Sequence, residues 1–417
     1  MKRLMVLFAM VFPYSTSEPF LENEYPFYKD HYDKTIIVTG CKRGEKPTRQ
    51  IEDSTIEVIP DYTLSKDVYS VIETLPWLLT DKIFYKEIFS LFQKKIFSVK
   101  RFYALLVTAL CSNHRALQTY RWIKKHPEYQ VDVIYAYWLN IPAYAAVRLN
   151  KKIGKKAYTV SRAHGFDLYI ERNPNQHLPF QEQIYHEIDE IAFISDNGEK
   201  YLEEKYGKKE KTSVFRLGAV DCNLRNPAEK RDVFRVVSCA RVIPLKRLPR
   251  IVDALKTITD KEIIWTHFGD GEDFEMLKSY AEKELPQNIR TDFRGFIPNT
   301  QIYDIYAKKP FHVFINVSET EGVPVSIMEA MSFGIPAIAT DVGGSSEVVE
   351  DKKNGYLLSA DFSDEDLIRY IRHMINMTDD EYEALRFESR KKFERDYNAI
   401  PNYRRFLKHI SDRKKES

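Results

Sequence analysis

Thirteen short apolar runs, rich in β-branched residues and separated for the most part by helical patterns, constrain this chain more than any other feature. In the first half they cover residues 4–12, 35–39, 56–59, 132–137, 157–161, 190–195 and 213–217. In the second half they cover 235–240, 262–268, 290–293, 312–317, 337–340 and 355–358. A strand that reads as a continuous apolar run is buried on both faces, which is the condition of a parallel sheet covered by crossover helices. An α/β fold is therefore expected, and 417 residues suffice for two or three domains. The rhythm breaks at 222–232, a polar stretch with a proline (CNLRNPAEKRD) that a new strand follows. The expected organisation is a Rossmann-like, doubly wound domain over 1–222 and a second over 223–390. Residues 391–417 would form a helix returning to the first domain. Ligands should bind outside the carboxyl ends of strands facing a cleft between the domains.

A formal net charge of +2 argues against a polyanionic partner, so no nucleic acid is expected. Cys41, Cys111, Cys222 and Cys239 lack metal-ligand spacing and read as reduced thiols of a cytoplasmic protein. Met1-Lys2-Arg3 before an apolar run could open a signal peptide. No small-residue cleavage site follows, however, and a first buried strand is expected instead. No apolar run is long enough to span a bilayer. Residues 68–110 interleave aromatic and aliphatic side chains with Lys82, Lys86, Lys94, Lys95, Lys100 and Arg101. They read as basic amphipathic helices, either packed on the first domain or resting on a membrane surface.

Three segments carry candidate chemistry. In the first, SETEGVPVSIMEAM (318–331), an apolar strand runs into a loop and a helix begins near Pro324. The first turn of that helix presents unpaired backbone N–H groups and a positive dipole end, which favour an anion. Glu321 precedes that turn and Glu329 lies two turns further on; a carboxylate accepts two hydroxyls, as sugars and ribose offer. The second, ARVIPLKR (240–247), follows a strand and places Arg241 and Lys246 five residues apart. Such cations can clamp a diphosphate, though a solvated basic loop would read the same way. The third, SRAHGFDLY (161–169), sets His164 at a strand end with Asp167 three residues on. Two acidic runs, 270–273 and 364–366, read as helix starts and not as metal sites.

Together these residues resemble family 4 of the retaining glycosyltransferases, which have the GT-B fold of two Rossmann-like domains. The family signature of two glutamates seven residues apart corresponds to Glu321 and Glu329, within EGVPVSIMEAMSFGIPAIATDVGG. The resemblance implies that Glu321 contacts hydroxyls of the donor sugar and Glu329 holds the ribose. It makes Arg241 and Lys246 the diphosphate clamp and His164 a sugar contact. Phe296 and Ile297, in GFIP (295–298), would lie against the nucleotide base. Gly322, Val323 and Val325 would offer backbone N–H groups to the donor, and Ser17 would stand in the first-strand loop. It further implies a hexosyltransferase needing neither metal nor cofactor. The donor would be a nucleotide-sugar, UDP-hexose favoured and a GDP-sugar the alternative. The acceptor would be a lipid or a saccharide, as in envelope polysaccharide or glycolipid synthesis.

The sequence departs from the family pattern in places. Ser15-Thr16-Ser17 replaces paired glycines, Pro324 stands where glycine is frequent, and Ser326 where proline is. Two rival functions use the same cleft: a GT-B phosphorylase or hydrolase, and a non-catalytic nucleotide-sugar binding module. A module of the second kind would be marked by loss of Glu321, Arg241 or Lys246, and all three are present.

Overall fold

The structure, a computed structural model, describes residues 1–63 and 67–413. The last four residues of the expected 391–417 segment thus lie outside the described residues. The chain forms two compact units. The first comprises Met1–Phe215 together with the C-terminal stretch from Tyr403, and the second is Arg216–Asn402.

The first unit contains β1 (Lys2–Phe8), β2 (Lys34–Gly40), β3 (Ile56–Asp61), β4 (Tyr129–Ala136), β5 (Tyr158–Ala163), β6 (Glu190–Phe193) and β7 (Thr212–Val214). Their order in the sheet is β3-β2-β1-β4-β5-β6-β7, with every pairing parallel. The second unit contains β8 (Val233–Cys239), β9 (Glu262–Phe268), β10 (Ile289–Phe293), β11 (Val313–Asn316), β12 (Ala337–Thr340) and β13 (Gly355–Leu358). Here the order is β10-β9-β8-β11-β12-β13, again all parallel. Each apolar run read from the sequence overlaps one strand. Each sheet is doubly wound, and chain order reverses between β1 and β4 in the first and between β8 and β11 in the second.

Successive side chains of a strand point to opposite faces, so a sheet covered on both sides needs apolar residues at every position. β1 meets this condition: Leu4, Val6 and Phe8 enter one core while Met5 and Leu7 enter the other. The C-terminal helix Ala399–Asp412 covers the second face through Phe406, Leu407 and Ile410. Arg162 of β5 is buried beneath this helix, 4.0 Å from the centre of the Phe406 ring and 3.0 Å from Glu24. Glu190 of β6 anchors the same helix. Its carboxylate accepts hydrogen bonds from Tyr158 (2.6 Å) and Ser213 (2.5 Å) and lies 2.8 Å from His409 Nε2. Burial opposes ionisation of Glu190, but the bonds from His409, Ser213 and Tyr158 outweigh it and hold the carboxyl down at about 2.

Strand ends differ from the sequence reading by up to four residues, most at β1. The apolar run 4–12 continues four residues beyond β1, which ends at Phe8. Ala9 and Phe12 are buried in a loop, not in the strand: Ala9 N–H still donates to Val38 of β2 (3.1 Å), but the amides of Val11 and Phe12 donate to a carboxylate. The acidic run 364–366 opens the helix Asp364–Asn376, with Ser363 and Asp366 capping each other reciprocally. The four cysteines are free thiols.

Because Glu190 ionises more readily folded than unfolded, its stabilisation is present above pH about 4.5 and is lost as the pH falls from there towards 2. Glu190→Gln should therefore cost about 3 kcal/mol at pH 7. Urea denaturation of both proteins should show that gap narrowing below pH about 4.5. A gap that stays constant with pH would mean the charge on Glu190 is not what holds the helix.

Candidate functional site

The second unit gathers its candidate residues at the carboxyl ends of adjacent strands. The loop after β8 (240–248) and the loop after β11 (317–324) flank the point where strand order reverses, where open α/β sheets bind ligands. Backbone hydrogen bonds tie these loops to their neighbours. Val242 N–H donates to Asp270 (2.9 Å), Glu319 N–H to Leu245 (2.9 Å) and Gly344 N–H to Gly322 (2.6 Å). Gly343 has a left-handed φ of 58°, and a Cβ there would stand 2.0 Å from the Glu321 carbonyl oxygen. The turn after β12 can therefore press against Glu321 only as glycine. Gly322 is the opposite case: a Cβ there would meet nothing within 4 Å, so the space in front of it is open.

The three basic residues of the β8 loop have separate roles. Lys246 ends a 3₁₀ turn (Pro244–Lys246), and its Nζ donates to Glu321 Oε1 at 2.7 Å. Asn316, at the end of β11, donates to the same oxygen at 3.1 Å. Arg247 adopts a left-handed φ of 47°, which turns its guanidinium inward. There it donates to the carbonyls of Val317 (2.8 Å), Ser318 (3.0 Å) and Ala360 (3.1 Å). Arg247 thus fastens the two loops together. Arg241 is exposed, and its guanidinium makes no hydrogen bond or ion pair among the described residues. Its charge is available to a ligand.

Glu329 lies on the helix Val325–Ser332, one end of which is the Pro324 cap. It is 7% exposed, and Asn299 Nδ2 (2.7 Å) and the Tyr303 hydroxyl (3.2 Å) both donate to its Oε1. Burial pushes its carboxyl up to about 7, against the opposing Tyr303 hydrogen bond. Burial and the nearby Glu329 also push the Cys239 thiol up to about 12. Phe296, on the loop after β10, is 75% exposed. Ile297 packs partly against the core beneath it, and Val323 does likewise.

Ser17 and His164 belong to the first unit, at the carboxyl ends of β1 and β5. Ser17 is exposed in a turn with Ser15. His164 is buried against Tyr137 and Trp138, and both its ring nitrogens are buried without a hydrogen-bond partner. A buried histidine in that condition is costly unless water or a ligand supplies the missing bond. Asp167 fixes its backbone: one carboxylate oxygen accepts from His164 N–H (2.6 Å), the other from Leu139 N–H (2.5 Å).

Glu18 escaped the sequence reading. Its carboxylate is 2% exposed and accepts from the amides of Met10 (3.1 Å), Val11 (2.8 Å) and Phe12 (2.7 Å) and from Trp138 Nε1 (2.6 Å). Consecutive backbone N–H groups in a concave turn form an anion site. Here the chain fills that site with its own carboxylate, between the loops after β1 and β4. Asn299 and Tyr303 were missed as well. Their spacing of four on the helix Asn299–Lys308 puts them on one face, the one signal the sequence held.

Comparison with known proteins adds the following. Residues 223–393 match the family model described as glycosyl transferases group 1. The putative colanic acid biosynthesis glycosyltransferase WcaL of Escherichia coli (strain K12) is 25% identical over 244 residues, which are 56% of this chain and 59% of that protein. The chain therefore aligns with under two thirds of that relative's length. A second relative is the UDP-Gal:alpha-D-GlcNAc-diphosphoundecaprenol alpha-1,3-galactosyltransferase of Escherichia coli. It is 28% identical over 158 residues, 36% of this chain and 38% of that protein. Among solved structures, the apo form of the lipopolysaccharide outer core galactosyltransferase WaaB superposes with a TM-score of 0.71 and 18% identity. That likeness covers 98% of this chain and 99% of the other, and it shows the fold: this chain has the GT-B architecture.

Two substitutions at neighbouring glycines should part company. Gly343→Ala should destabilise the protein by about 1–3 kcal/mol, through strain and the clash with Glu321. Gly322→Ala should unfold at the wild-type midpoint. Equal midpoints for the two variants in thermal denaturation would contradict this packing. Glu329 gives a pH signature. Its folded pKa is raised, so its stabilisation is complete below pH about 4.5 and is lost as the pH rises to about 7. The wild type should lose about 3 kcal/mol relative to Glu329→Gln across that interval. Parallel stability–pH curves would show that Glu329 is not desolvated.

Proposed function

We propose that this chain transfers a hexose from a nucleoside diphosphate sugar, UDP-linked by preference, to a hydroxyl of a lipid or lipid-linked saccharide. Anomeric configuration is retained and no metal ion takes part. The observation that carries this reading is the Lys246–Glu321 pair at the strand-order reversal, with Arg241 unpaired beside it. A diphosphate entering there takes Lys246 and Arg241, and a sugar hydroxyl takes the place of Lys246 on Glu321. The relatives' names agree with such a reaction: one uses UDP-Gal with a diphosphoundecaprenol-linked acceptor, and another acts on a lipopolysaccharide core.

In this reaction the bond between the sugar's anomeric carbon and the diphosphate oxygen breaks, and a bond from that carbon to the acceptor oxygen forms. The acceptor's proton passes to a phosphate oxygen of the leaving group, so no second carboxylate is needed as base. Negative charge grows on the diphosphate as the bond breaks. Arg241, Lys246 and the free amides of the helix starting at Val325 stabilise it where it develops. Donors fixed in advance around a developing charge lower a barrier strongly, because they need no reorganisation as the charge appears. Gly322 and Val323 let the backbone approach the donor. Glu329 receives the ribose: two hydroxyl donors would complete the shell of a carboxylate that burial now holds near neutrality. Phe296 and Ile297 offer the base an apolar platform. His164 offers a sugar hydroxyl ring nitrogens that have no hydrogen-bond partner among the described residues. The site works on the cytoplasmic side, with the protein resting peripherally on the membrane that holds its acceptor.

Lys246→Ala should lower kcat by about 10²–10³-fold with the fold intact. A wild-type rate in the purified variant would remove the clamp from the mechanism. In a thermal-shift comparison of UDP, GDP, ADP and CMP, UDP should stabilise most, by about 2.7 kcal/mol at a hundred times its Kd. Sugar release from the donor in water alone, at the rate seen with acceptor, would identify a hydrolase instead.

A further inference from the structure

The helix Val68–Leu79 is built inside out. Its buried stripe is Ser70, Thr74 and Leu78, and the Thr74 hydroxyl satisfies itself on the Ser70 carbonyl (2.7 Å). Its exposed stripe is Val68, Ile72, Leu75 and Leu79, spaced at helical intervals and 43–69% exposed. A helix facing water has the reverse arrangement. The helix Lys82–Gln93 behaves similarly on its outer side: Ile83, Phe84 and Leu91 are buried, yet Tyr85, Phe89 and Phe92 are 48%, 67% and 56% exposed.

These surfaces join. The Tyr85 hydroxyl reaches the Leu79 carbonyl at 3.4 Å, linking the two helices. Phe92 stacks on Phe97 at 4.4 Å, and Phe97 sits 6.1 Å from Phe102, on the first turns of the helix Val99–Lys125. Val99 and Tyr103 extend the apolar surface there. Single exposed apolar residues need no explanation, but a continuous patch marks an interaction site.

The unpaired charges bordering the patch are of one sign. Lys82, Lys86, Lys95 and Lys100 are exposed and make no ion pair among the described residues. The acidic groups of the same stretch are spent: Asp81 is buried on Asn113, Tyr144 and Arg148, and Glu87 on His177. Asp67 pairs with Arg43 and Glu73 with Arg121. Aromatic rings at the level of unpaired lysines suit the boundary of an anionic bilayer, where the rings enter the acyl region and the ammonium groups stay among phosphates. No helix among the described residues is long and apolar enough to cross a membrane.

We infer that the outer face formed by residues 68–103 docks on an anionic phospholipid bilayer, with Phe89, Phe92 and Phe97 inserted and Lys82, Lys86, Lys95 and Lys100 on the headgroups. This deepens the peripheral location proposed above and rests on that reading only for the acceptor; the docking itself needs neither donor nor transfer.

Co-sedimentation of the full chain with phosphatidylglycerol-containing and pure phosphatidylcholine vesicles tests it. Binding to the anionic vesicles should be at least about tenfold tighter at low salt and should weaken as salt rises. The doubly substituted chain Phe89→Ser, Phe92→Ser and, separately, Lys82→Glu, Lys86→Glu should each lose about tenfold or more in vesicle affinity. Both should keep the wild-type unfolding midpoint and the wild-type thermal shift with UDP. No anionic-vesicle binding, or binding indifferent to all four changes, would overturn the inference. So would a dimer in sedimentation velocity that Phe89→Ser, Phe92→Ser dissolves, since the face would then belong to a second copy. A missing UDP shift beside intact vesicle binding would count against the transferase reading alone.

Discussion

A parallel strand cannot return to its neighbour through a tight turn, and every pairing in both sheets of this chain is parallel. The constraint has two consequences on which the rest depends. Each sheet must be covered on both faces, so strands are apolar throughout. Each crossover also leaves its strand at the carboxyl end, so loops separated by tens of residues collect along one edge. In the second unit that edge brings residues 241–247, 296–297 and 316–329 together.

What the edge does with them is electrostatic. The β8 loop supplies three cations, and the backbone assigns them different tasks. Arg247 is turned inward by its left-handed conformation and consumed by carbonyls, so it is part of the scaffold. Lys246 is held by Glu321 in a half-buried pair, a contact that a ligand can exchange for its own. Arg241 faces outward. Beneath them Glu329 is a desolvated carboxyl poised near neutrality, short of hydrogen-bond donors on one oxygen among the described contacts. The first unit solves the equivalent problem differently. Its amide nest after β1 holds Glu18, so an internal carboxylate occupies the position where an external anion would otherwise be welcome.

Much of this was legible in the sequence because parallel strands leave a strong trace. Residues 262–268, 337–340 and 355–358 read as strands and are strands to the residue. The strand-end position of Arg241, Lys246, Glu321 and Phe296 followed from that. What escaped depends on contacts between distant segments or on backbone angles. Nothing in ARVIPLKR distinguishes Lys246 from Arg247; a φ of 47° does. The run 4–12 reads as one strand because Ala9 and Phe12 are buried, though in a loop held by Glu18. In the stretch 68–79 the density of apolar residues was visible. That they would face outward, over a stripe of Ser70 and Thr74, was decided by how the helix packs.

The central claim is that Lys246 and Arg241 hold a diphosphate, and it can be measured without knowing the sugar or the acceptor. Calorimetric titration of the full chain with UDP and with UMP compares ligands that differ by one phosphate. UDP should bind more than about tenfold more tightly, since charge-assisted bonds to two cations are worth upwards of about 1.4 kcal/mol. Equal affinity for the two nucleotides would contradict the account.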